Sequence, residues 1–423
     1  MQNGNKYWAF NKGEWTEAYV FLRLLGDGRI YGANANLQRD ERIYIDIVNI
    51  YRFEADKIFR FAREIRDCVE SVCGYEDEQR FIITTPPELS ARAEQLYKAI
   101  KMVASGERKF SVPEIQDYLS SMRFSSPKVP SLPKKYELKF GKKTDIVIEI
   151  EDSIDGARSK EGFSIKSHIG SSPTLFNSST KSNLIYEVVG CNDDLMHSIN
   201  AIDDFVGKNA TTKSPEKDGM VRAIHRNRLE LKLAVDKCDE TFRANIMYVD
   251  SRMLDILDVV VRLQTGILPG ARSSSSEDIV EALAEINPLK FPNPKHFYEA
   301  KIKDFHFDSF SGMTASRVWD GKKRLTGGYI DVDRDGGLLY YRAVSDDIFC
   351  TYLHKHLYFD RPDRGGLKDL AVAEGKAYLE GRTLSDEERK AILDSHSVKG
   401  KWGYIYKEDD KFYMAINFQT RFR

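Results

Sequence analysis

The sequence predicts a mixed α/β fold, a sheet flanked by helices, and three observations lead there. Apolar residues recur at helical spacing through most of the first 125 residues. A block of short apolar runs joined by glycine-bearing turns then extends from Tyr136 to Val189, which is the pattern of strands. Helical periodicity returns from about Asp193 to Thr265, and the C-terminal part again holds strands. Alternating blocks of this kind give an α/β architecture, while strand order is not encoded in any local pattern.

The elements follow in order. Asn11 to Leu25 places Trp15, Ala18, Tyr19, Phe21, Leu22, Leu24 and Leu25 in one apolar arc of a helix, and Glu14 and Glu17 fall inside that arc. Helices are also expected over "EADKIFRFAREIRDCVESV", "PPELSARAEQLYKAIKMVAS" and "SVPEIQDYLSSM". "SSPKVPSLPKK" from Ser125 reads as a linker because its prolines and serines suit neither a helix nor a core. "YELKF", "DIVIEIE", "GFSIKSHI" and "NLIYEVV" read as strands. "ARSSSSED" caps the helix "EDIVEALAEI", and hairpins are expected in "GGYIDVDRDGGLLYYRAV" and "GYIYKEDDKFYMAINFQTRF". The organisation expected is a helical part over 1–125, a β core over 126–190, a helical region over 191–290 and an α+β part over 291–423, intertwined as one unit.

Composition narrows the function. With 41% apolar and 30% charged residues the chain is a globular protein, and it has neither a signal-peptide pattern at its start nor an apolar run of membrane length. Five cysteines without a CxxC pair argue against a disulfide framework or a zinc site. The net charge is −1, so any affinity for nucleic acid must come from local patches. Lys128 to Lys143 carries six lysines against one glutamate, and "RAIHRNRLELKLAVDK" from Arg222 carries three arginines and two lysines on a helical pattern. Both also suit plain solvated faces.

Chemistry concentrates in one predicted hairpin. In "KKTDIVIEIED", Asp145, Val147 and Glu149 share a face opposite Ile146, Ile148 and Ile150. In "GFSIKSHI", Lys166 interrupts an apolar run, and pairing of the two strands makes it a neighbour of Asp145. A carboxylate for a divalent metal beside a lysine that handles water is equipment for phosphodiester hydrolysis; an edge hairpin with an exposed Asp and Lys is the alternative. Glu149 lies roughly 13 Å further along the strand and cannot share Asp145's metal. Glu14 and Glu17 either meet a cation or complement the dipole of their helix. "DVDRDG" at Asp331 lacks the twelfth-position glutamate of a calcium loop and reads as a turn. No Walker A or Rossmann glycine pattern occurs.

"FNKGEWTEAY", "TDIVIEIED", "GFSIKSHIGSSPTLFNSSTKSNLIYEV", "GGYIDVDRDGGLLYYRAV" and "FYMAINFQTRF", in that order, resemble the HpaII-type type II restriction endonucleases. The resemblance implies a PD-(D/E)XK fold, a mixed sheet flanked by helices with helical and C-terminal β elaborations, and Mg²⁺ as cofactor. Asp145 then matches the Asp of the PD motif and Lys166 the Lys of (D/E)XK. Thr144 stands where that motif has proline, and Ser164 occupies the usual acid position. The missing charge is expected from Glu17, or Glu14, on the first helix, with Glu187 as a lesser substitute. The loop after the catalytic strand would offer Ser171, Ser172, Thr174, Asn177, Ser178 and Lys181 to double-stranded DNA, with Lys142, Lys143 and Arg226 from the basic patches. The implied activity is Mg²⁺-dependent cleavage at a short palindrome such as CCGG, in the cytoplasm of a bacterium or archaeon. A methyltransferase would be the functional partner and a homodimer a natural assembly. A loosely specific repair or mobile-element nuclease, or an idle DNA-binding module, are the rival readings.

Overall fold

The computed structural model describes residues 7–423 apart from 35–37, 67, 105–106, 153–155, 171, 178, 203–218, 324–325, 343–345, 361–365 and 396–402. The chain packs as two compact units, Met1–Pro173 with Lys323–Tyr352, and Thr174–Lys322 with Leu353–Arg423.

The first unit opens with α1 (Lys12–Asp27), the helix expected near the start. Asn11 accepts the Glu14 N–H at 2.9 Å, and the Glu14 carboxylate accepts the Asn11 N–H at 3.0 Å, closing a capping box. Gly28, at φ 70°, ends the helix in the left-handed conformation that glycine adopts without a Cβ clash. The apolar arc from Trp15 to Leu25 is buried as its spacing requires.

The next segment departs from the helical expectation. Four strands, β1 (Arg29–Ala33), β2 (Arg39–Glu54), β3 (Lys57–Arg66) and β4 (Val69–Glu76), precede β5 (Gln79–Thr84). Where the periodicity suggested a helix over "EADKIFRFAREIRDCVESV", β3 and β4 form an antiparallel hairpin. Phe59 and Phe61 obey a period of two and are both buried. Lys57 with Glu76 and Arg63 with Glu70 pair across the two strands. The residues up to 125 are therefore helical only in α1, α2 (Pro86–Met102) and α3 (Pro113–Ser121) among the described residues.

Two further corrections lie just before the expected hairpin of Asp145 and Lys166. "YELKF" is not a strand but part of a short helix, α4 (Lys134–Phe140), in which Tyr136 and Phe140 stack one turn apart. The proline-rich stretch is not a free linker: Pro127 and Leu132 are buried, and its carbonyls are hydrogen-bonded to strand β2.

β6 (Ile146–Asp152) and β7 (Arg158–Ser167) pair antiparallel, Ile146 opposite Phe163, as the sequence suggests. The hairpin Gly328–Val332 with Leu338–Arg342 lies beside β7, parallel to it. Among the described residues nine strands form one sheet, and because β1 pairs both with Leu338–Arg342 and with β2, six of them close into a ring. Closure removes exposed edges from those six strands. Ile146, Ile148, Ile150, Phe163 and Ile165 face the core shared with α1, leaving Asp145, Ser164 and Lys166 on the opposite side.

The second unit centres on Leu184–Val189, flanked by Glu230–Leu233 and Lys411–Ile416, with Ile405–Glu408 at the edge. The expected helix "RAIHRNRLELKLAVDK" ends at Arg226, and Glu230–Leu233 turns into a strand. "NLIYEVV" is thus a strand, but it joins this sheet and not the one holding β6 and β7. The serine-rich loop caps Ser276–Ile286 through Ser275, which accepts the Asp278 N–H at 3.1 Å.

Candidate active site

Asp145 stands immediately before β6, where its N–H extends the ladder to the Phe163 carbonyl at 2.8 Å. Its Oδ2 accepts two hydrogen bonds from β7, from Ser164 Oγ at 3.0 Å and from the Ile165 N–H at 2.7 Å. Ser164 is 1% exposed. Its hydroxyl is thereby committed to orienting the aspartate. Two residues on, and so on the same face, Lys166 is half-buried.

Glu17 reaches this cluster from α1. Burial, and next the negative charge of Asp145, push its carboxyl up to about 8; the Val129 N–H, Lys128 and Lys166 pull the other way. The Val129 N–H donates to Glu17 Oε2 at 2.5 Å. Lys143 belongs to the same cluster: burial and then the charge of Lys166 push it down to about 7, with Asp145 opposing. Two acids and two lysines, from α1, from the segment leading into β6 and from β7, therefore share one field. The acids repel each other and lack a full complement of charge, which is the state a bound cation relieves.

Glu14 does not join them. Its carboxylate closes the capping box and lies 3.9 Å from Lys128 Nζ. Glu149, as its distance along the strand required, sits apart: Asn49 and Tyr51 donate to its Oε2 at 2.9 and 2.6 Å. Burial pushes Glu149 up, but these donors and Lys160 hold it below the usual carboxylate range. Glu187 lies in the second unit, 3.0 Å from Lys411 Nζ.

The remaining DNA-contact candidates are distributed. Lys142 is exposed beside Lys143, and Ser172 is half-buried near the end of the first unit. In the second unit Thr174 begins a strand paired with Gln419–Phe422, Asn177 is exposed, and Lys181 Nζ lies 3.4 Å from Asp239. Arg226 is exposed in the last turn of its helix. Ser171 and Ser178 lie outside the described residues.

Two participants escaped the sequence reading. Asp331, read there as a turn residue, is in a strand directly opposite Lys166 and 3.1 Å from His168 Nε2. The alternation "GGYIDV" could have placed it, had the strand's neighbour been known. The Val129 N–H carries no side-chain signal at all. Among the described residues no group of three or more His, Cys, Asp or Glu side chains is placed to hold a metal ion.

The model of the HpaII restriction endonuclease family matches residues 11–380. The chain belongs to the HpaII restriction endonuclease family. It is also 26% identical over 419 residues to the type II restriction enzyme HpaII of Haemophilus parainfluenzae, covering 99% of both chains. No solved structure matches it. This HpaII-family protein is a type II restriction endonuclease, a site-specific deoxyribonuclease, which sets aside the loose nuclease and the idle binder. Among its described residues no helix is long and apolar enough to cross a membrane.

Proposed function

We propose that this endonuclease hydrolyses both strands of a short palindromic DNA site, CCGG-like, using Mg²⁺ held by Asp145 and Glu17. The observation that carries the reading is that Asp145, at the head of β6 with its carboxylate fixed by Ser164 and the Ile165 N–H, and Glu17 of α1, held by the Val129 N–H, feel each other's charge and that of Lys166. Hard carboxylate oxygens suit Mg²⁺, and two partly buried acids in one field favour a cation. When bound, the ion acidifies water and neutralises charge developing on the phosphate.

The chain's own residues divide the rest of the work. Ser164 and the Ile165 N–H fix the plane of the Asp145 carboxylate. Lys166 holds the attacking water or a non-bridging phosphate oxygen, and Lys143 stands beside it, where the negative charge of a bound phosphate would favour its protonated form. On this reading β6, β7 and α1 are the PD-(D/E)XK core, with serine in place of the motif's second acid and Glu17 restoring its charge.

Lys142, Lys143, Arg226 and the loop with Ser172, Asn177 and Lys181 supply contacts to the DNA. A palindromic target matches a two-fold homodimer, and a methyltransferase of the same specificity protects the cytoplasmic host DNA. Plasmid DNA incubated with the protein and Mg²⁺ should yield discrete fragments whose sequenced ends share one palindrome. A smear, or undiminished cutting in a chelator, would overturn the proposal.

A further inference from the structure

Strand β2 buries a guanidinium: the Arg52 side chain is 2% exposed. An arginine so placed must have every donor direction satisfied, and its partners show what it holds. Its Nε lies 2.6 Å from Glu54 Oε1. Its Nη2 donates to two backbone carbonyls of the proline-rich segment, Ser126 at 2.8 Å and Lys128 at 2.9 Å. Its Cζ lies 3.6 Å from the centre of the Phe124 ring. Glu54 completes the clamp by accepting from Ser125 Oγ at 2.5 Å. One residue beyond the second clamped carbonyl, the Val129 N–H donates to Glu17.

A segment with three prolines between Ser125 and Lys135 has few backbone donors and forms no helix or strand before Lys134, so its own conformation does not secure Val129. The guanidinium fork does, because it bridges a carboxylate and two carbonyls at fixed angles, which a lysine cannot reproduce. We propose that Arg52 is a positioning residue for catalysis, clamping residues 124–128 so that the Val129 N–H orients the Glu17 carboxylate for the metal ion. The inference rests on the reading of Glu17 as a metal ligand. Loss of a partner that orients a metal ligand from behind typically costs about 10- to 100-fold in metal affinity or activity.

The test compares Arg52→Gln, Val129→Pro, Glu17→Gln and the double variant Arg52→Gln/Glu17→Gln, all checked for folding by thermal melting. Two quantities are read: the Mg²⁺ concentration for half-maximal plasmid cleavage, and Ca²⁺ binding to the protein–DNA complex by calorimetry. Arg52→Gln and Val129→Pro should each weaken metal binding about tenfold, and the double variant should bind no more weakly than Glu17→Gln alone. Unchanged metal binding in both single variants, or a full extra loss in the double, overturns the role of Arg52 while leaving Glu17 in place. Unchanged metal binding in Glu17→Gln removes the ligand assignment itself. If Arg52→Gln fails to fold, Arg52→Lys, which keeps a buried cation but not the fork that bridges Glu54 and the two carbonyls, takes its place with the same expected loss and the same overturning result.

Discussion

Ser164 Oγ donates to Asp145 Oδ2 at 3.0 Å, from the position where a second acid would be expected. The serine does not replace the acid's charge; it holds the remaining acid still. Ser164→Ala should therefore lower cleavage about tenfold through misorientation of Asp145, with the rate measured at saturating Mg²⁺. Loss as complete as that of an Asp145 variant would show the hydroxyl to be a ligand.

Lys166 shares the Asp145 face, and its charge is felt by both Glu17 and Lys143. Lys166→Ala should reduce single-turnover cleavage by about 10² or more while DNA binding persists, since phosphate contacts elsewhere supply most of the affinity. Near wild-type cutting would take Lys166 out of the reaction.

The three glutamates should separate cleanly. Glu17→Gln should lose cleavage and raise the metal requirement. Glu14→Gln keeps an acceptor for the Asn11 N–H and loses only the negative charge in the first turn of its helix, so it should cost about 0.5 kcal/mol or less in a denaturant melt with cleavage retained. Glu187→Gln, whose carboxylate serves Lys411, should cut normally. An inactive Glu187→Gln would move the missing charge to the second unit.

The pH dependence has a definite sign. The folded-state value of Glu17, about 8, exceeds the ordinary 4.5, so the folded protein without metal holds a proton there that the unfolded chain has released. Its contribution to stability is fully present below about 4.5 and is lost as pH rises to about 8. In metal-free buffer Glu17→Gln should consequently melt above the wild type, by a margin that widens across that window. A margin independent of pH would contradict the burial of this carboxyl beside Asp145.

Binding to non-cognate DNA should weaken steeply with salt, and Lys142→Ala and Arg226→Ala should each lower the slope of log affinity against log salt by about one. Slopes equal to that of the wild type would make both residues solvated surface.

The sequence by itself determined the elements whose signals are local. Asn11 followed three residues later by Glu14, with an apolar arc behind them and Gly28 after it, is sufficient for α1. The alternation in "DIVIEIE" and "GFSIKS" is sufficient for β6, β7 and the shared side of Asp145 and Lys166. Only the tertiary structure decided the rest. Phe59 and Phe61 became strand residues because β2 and β4 were there to pair with β3, an arrangement whose charged outer face has a helix-compatible spacing. Tyr136 to Phe140 became a helix and Leu184–Val189 went to the other sheet for the same reason, that short apolar runs take the form their distant neighbours complete. The approach of Glu17 to Asp145, and the Arg52 clamp behind it, join residues separated by most of a unit. Periodicity reports which face of an element is apolar; which polar groups meet is set by how the elements close on one another.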